Sequence, residues 1–89
     1  PHFYQIKLMN AQLTFKEQEV LSLCKKGMNC QEISEKLFVT VETIKTHRKK
    51  IIKKLELHGK QEFRIFIMNL LEEELMLQQQ NSPQNYPLG

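Results

Sequence analysis

Between Leu13 and Leu71, apolar residues return at helical spacing and are broken by short polar turns. In LTFKEQEVLSLCKKG, Leu13, Val20, Leu21 and Cys24 recur on one helical face. Thr14 and Glu17 form a T-x-x-E capping box, in which each side chain satisfies a free backbone donor of the first turn. Lys25, Lys26 and Gly27 supply the stop. NCQEISEKL is a shorter copy: Asn29 caps, Glu32 follows three residues on, and Ile33 and Leu37 point inward. After Phe38 and Val39, Thr40 caps a helix predicted over 41–57, which His58 and Gly59 end. Two helices joined by so few residues make a helix-turn-helix arrangement. KQEFRIFIMNLLEEELMLQ predicts a fourth helix, with Phe63, Phe66, Ile67, Leu70 and Leu71 inward. No segment reads as a strand and no repeat recurs. The expected fold class is therefore all-α: a four-helix, bundle-like helix-turn-helix domain over 13–77.

The two ends read differently. PHFYQIKLMNAQ has no clean helical period, because Ile6 and Leu8 alternate with polar neighbours. Residues 1–12 are expected to be a linker or the end of a missing upstream domain, since the sequence opens on Pro1 rather than Met. QQQNSPQNYPLG combines Gln, Asn and two prolines without periodicity, so 78–89 are expected to be a disordered tail.

Charge changes the picture more than composition does. The formal net charge is only +3 over 89 residues, but it is unevenly spread. From Val41 to Lys60, seven Lys or Arg stand against Glu42 and Glu56, while Glu72, Glu73 and Glu74 form an acidic run. Around the 41–57 helix, Val41, Ile44, Ile51, Ile52 and Leu55 fall on one side. Glu42, Lys45, Thr46, Lys49 and Lys53 fall on the other. Arg48 lies near the apolar side, where its guanidinium can snorkel to the edge. A merely solvated face usually mixes signs, because like charges four residues apart oppose the helix. Lys45, Lys49 and Lys53, and likewise Lys50 and Lys54, stand in that repulsive arrangement. An external polyanion would relieve it, and the DNA major groove admits such a helix.

These residues resemble a known family. LTFKEQEVLSL, Gly27, QEIS and VTVETIKTHRKKIIKKLEL are similar to the LuxR-type (GerE- or NarL/FixJ-type) DNA-binding pattern. That pattern runs L-T-x-R-E-x-E-V-L, G, N-K-E-I-A, S-x-x-T-V-K-x-H and K-L. The resemblance covers Leu13 to about Leu71, with T-[IV]-K-x-H its most specific part. It implies a four-helix domain that binds promoter DNA as a dimer and regulates transcription, with RNA polymerase a candidate further partner. By position, Lys45, Thr46 and Lys49 match base-facing sites; Gln31, Thr40, Thr43 and Lys50 match sites facing phosphate. His47, at the rim of the helix interface, and Lys53, on the outward face, join the phosphate set.

The departures are specific. Lys16 stands where the family has Arg, Ser34 where it has Ala, and Thr40 where it has a Ser cap. Glu56 replaces the Gly that often follows K-L, and is expected to extend the helix and alter how the fourth helix leaves.

Other classes fit less well. Region 4 of a sigma factor shares the scaffold, but His47 followed by Arg48, Lys49 and Lys50 fits the LuxR-type pattern better. A protein-binding adaptor would draw on a second apolar stripe at Ile65, Met68 and Leu75, here assigned to a homodimer interface through the last helix. No catalytic constellation appears, so no enzyme and no cofactor is implied. Cys24 and Cys30 with His47 and His58 lack any usual zinc spacing, and Cys24 reads as a free thiol on the apolar side. Lys54 is a candidate ion-pair partner of either Glu17 or Glu32. No apolar run approaches the ~20 residues of a membrane span, and no secretory signal precedes the cysteines, so the cytoplasm is the expected compartment.

Overall fold

Caps and stops divide the chain into helices whose apolar faces meet in one core. The structure, a computed structural model, describes residues 2–81. Five helices follow one another: α1 (Phe3–Ala11), α2 (Phe15–Lys25), α3 (Cys30–Leu37), α4 (Val41–Lys54) and α5 (Lys60–Asn81). The fold is all-α, with no strand among the described residues. No helix there is long and apolar enough to cross a membrane.

Both capping boxes form. Thr14 Oγ1 accepts from the Glu17 amide at 3.1 Å, while the Thr14 amide donates to Glu17 Oε1 at 2.9 Å. Asn29 and Glu32 repeat the exchange at 2.8 and 2.9 Å. At the far end of α2, Gly27 takes φ +88°. Its amide and that of Met28 then close on the carbonyls of Cys24 and Leu23. Val20, Leu21 and Leu23 of α2, Ile33 of α3, Ile44, Ile51 and Leu55 from α4 and its cap, and Phe63, Phe66 and Leu70 of α5 form the core. Leu71, expected inward, stands at the rim and is 39% exposed.

Three expectations are corrected. First, α4 ends at Lys54 and not near Leu57. Glu56 does not extend it: at φ +59° it takes the left-handed place that Gly would hold. The amides of Glu56 and Leu57 reach back to the carbonyls of Lys53 and Ile52, each at 3.0 Å, closing a Schellman motif. The left-handed conformation costs an L-residue roughly 1–2 kcal/mol. Glycine escapes that cost but loses about 0.5–1 kcal/mol more backbone entropy on folding. Glu56→Gly is thus expected to raise stability by about 0.5–1 kcal/mol, or several degrees in a thermal melt. An unchanged melting temperature would show that no strain resides there.

Second, residues 3–11 are helical although no clean helical period marks them in sequence, which makes five helices where four were expected. The reason is tertiary. The first turn of α1 has no local side-chain cap, but the Glu73 carboxylate on α5 accepts from the amides of Tyr4 at 3.0 Å and Gln5 at 2.8 Å. Tyr4 packs edge-on against Phe66, with ring centroids 5.5 Å apart. Glu74 receives Gln5 Nε2 at 2.9 Å and Lys25 Nζ at 2.8 Å, which ties α1, α2 and α5 together.

Third, α5 continues through 78–81, part of the segment expected to be a tail; the remainder of that segment lies outside the described residues.

Candidate nucleic-acid interface

The interface is built on α4, which Thr40 starts. Its hydroxyl accepts from the Thr43 amide at 3.2 Å and lies 3.0 Å from the Thr43 hydroxyl. Ile44, Ile51 and Leu55 are at most 1% exposed and fix the rotation of the rod. That rotation turns Lys45, Thr46, Lys49, Lys50 and Lys53 outward on a continuous exposed surface. None of these four lysines is paired with a carboxylate among the described residues. Their like charges repel one another along the face.

The two other basic residues of α4 have structural partners. Lys54 Nζ reaches Glu17 Oε1 at 2.7 Å, so of its two candidate partners it takes Glu17. Glu17 is 3% exposed. Burial pushes its carboxyl up, but hydrogen bonds from Lys54 and Thr14 and the Lys54 charge outweigh burial, so it titrates below the ordinary range. One carboxylate therefore closes the α2 cap and anchors the C-terminal end of α4. Arg48 does not snorkel freely to solvent. Its Nη1 donates to Cys30 Sγ at 3.1 Å, and its Nε is buried without a partner.

Of the remaining site residues, Gln31 is exposed on α3 with its amide donating to Glu35 Oε2 at 2.9 Å. His47 is half-buried, with Nδ1 enclosed and unpartnered. Ile65, Met68 and Leu75 lie away from α4 on the outer face of α5, 49%, 68% and 56% exposed. Leu71 and Met76, at 39% and 55%, widen that stripe beyond the three residues named from spacing.

The two cysteines are free and half-buried. Burial, with the nearby Cys30, pushes the Cys24 thiol up to about 11 against an opposing Arg48 charge, so at neutral pH it is a protonated packing group. Among the described residues, no three His, Cys, Asp or Glu side chains converge as a metal site.

Residues 11–67 match the family described as bacterial regulatory proteins, luxR family. The chain belongs to the luxR family. Members are DNA-binding regulators of transcription, not enzymes, and the helix-turn-helix of this chain is α3, the Phe38–Thr40 turn and α4. The chain is similar to the oxygen regulatory protein NreC of Staphylococcus carnosus, 46% identical over 50 residues, covering 56% of this chain and 23% of that protein. It is also similar to the transcriptional regulatory protein LiaR of Bacillus subtilis, 34% identical over 65 residues, or 73% of this chain and 31% of that one. NreC of Staphylococcus haemolyticus is 44% identical over 50 residues, with 56% and 23% covered. The chain thus spans about a quarter to a third of the length of these luxR-family relatives. No solved structure matches it.

Proposed function

We propose that this luxR-family domain binds a specific duplex DNA site as a symmetric pair, with α4 of each protomer in the major groove. The observation that carries this is the lysine face of α4: outward, exposed and without ion-pair partners among the described residues. Lys45, Thr46 and Lys49 read base edges, because lysine donates to guanine acceptors and threonine to either pattern. Gln31, Thr40, Thr43, His47, Lys50 and Lys53 position the domain on phosphates, and the exposed stripe of Ile65, Met68 and Leu75 joins the two protomers. His47 contributes through its ring edge away from the enclosed Nδ1.

Two single variants test the division of labour. Lys45→Ala is expected to cost about 1–3 kcal/mol on the preferred site and to relax choice at one base position. Lys50→Ala is expected to weaken all sequences alike and to lower the salt slope by about one. Binding isotherms on specific and scrambled duplexes read both effects. Identical behaviour of the two variants on both duplexes would mean that the faces are misassigned.

A further inference from the structure

A groove runs along one flank of α4, between that helix and the residues that open α5. It encloses about 460 Å³ and is walled by Lys45, Arg48 and Lys49 from α4 and by Lys60 from the start of α5. Glu42 is the single acid on its lining, so four cations face one carboxylate. Lys60 has no carboxylate partner among the described residues and is exposed. Arg48 has its Nη1 held by Cys30 and its Nε buried, which leaves Nη2 as its remaining donor. Sequence spacing did not bring Lys60 to this face; the left-handed turn at Glu56 does, by folding the chain back beside α4.

We propose that the α5 wall of this groove meets a sugar-phosphate strand of the bound duplex, with Lys60 as a phosphate-binding residue, while Lys45 and Lys49 on the α4 wall reach the base edges. The inference rests on the DNA-binding role of α4 given above. A helix with its side chains is about 10–12 Å across, and the major groove is about 12 Å wide. A helix lying in it is therefore flanked on both sides by the two phosphate backbones. Whatever stands beside α4 at the level of Lys45 and Lys49 meets a strand, not base edges. Lys60 occupies that position on a separate element. A contact from α5, added to those from α3 and α4, further fixes the roll of α4 in the groove.

The test compares the wild-type chain with Lys60→Gln and Lys60→Arg on a selected duplex and a scrambled one, over a salt series. Lys60→Gln is expected to weaken both duplexes by the same factor and to lower the slope of log affinity against log salt by about 0.9, the value for one phosphate. Lys60→Arg is expected to restore the slope. A Lys60→Gln chain with wild-type slope and affinity, while the wild type still binds DNA with steep salt dependence, overturns this inference and leaves the α4 assignment intact. A wild-type isotherm flat in salt overturns both. Titration with ATP in the absence of DNA separates a free-nucleotide pocket: saturable binding abolished by Lys60→Gln, with an unchanged DNA slope, also overturns the assignment to the strand.

Discussion

A chain carrying both Ile65→Glu and Met68→Glu is expected to keep its helical circular dichroism while losing paired occupancy of a two-half-site duplex. Both positions lie on the outer face of α5, 49% and 68% exposed, so neither substitution opens the core. Phe63, Phe66 and Leu70, which close that core from the same helix, are at most 5% exposed and untouched. In a two-fold interface each change occurs twice, which places four carboxylates in one patch. Burying the wild-type stripe contributes roughly 25 cal/mol per Å² of apolar area. Like charges across an interface cost several kcal/mol. Pairing should weaken by about a hundredfold or more on that scale. Sedimentation on the duplex reads the stoichiometry directly. An unchanged two-protomer complex would place the pairing surface elsewhere on the molecule.

The affinity of the paired chain for its duplex is expected to fall by roughly 10³ or more between about 50 and 200 mM salt. The cause is counterion release. Four outward lysines of α4 have no ion-pair partner among the described residues, and each phosphate they neutralise frees a condensed cation, an entropic gain that shrinks as bulk salt rises. With about four to six such contacts per protomer, a pair makes roughly ten, at ~0.9 per contact in the log–log slope. Lys54, locked to the buried Glu17, adds nothing to this count. Isotherms at four or five salt concentrations suffice. Indifference to salt would remove the electrostatic basis for placing DNA on α4.

What could be read from the sequence was local in origin. Thr14 with Glu17, and Asn29 with Glu32, announce helix starts because both partners of each cap lie within one turn. The outward phase of Lys45, Thr46 and Lys49 follows from Ile44, Ile51 and Leu55, since one helix carries both sets. The features that escaped depend on distant partners or on backbone that side-chain type does not announce. Nothing in PHFYQIKLMNAQ marks it as helical, because the carboxylate that caps it belongs to α5. Glu73 reads in sequence only as the middle of an acidic run, yet it is 8% exposed and accepts from the Tyr4 and Gln5 amides. Glu56 looked like a helix former, and its left-handed turn emerges only from the closure of the Ile52–Leu57 motif. Arg48 was placed at an edge by its phase, but Cys30 of the neighbouring helix captures it.

The capping of α1 by Glu73 sets an order of events during synthesis. Tyr4 and Glu73 are 69 positions apart, so the first helix in the chain waits for almost the last of the described residues to be translated. Alone, nine residues without a side-chain cap are too few to hold helical structure in water. The helices from α2 to α4 carry their own caps and can be in place by then. Within the described residues, the N-terminal helix is thus ordered only once α5 has been made, the reverse of an N-terminal-first progression.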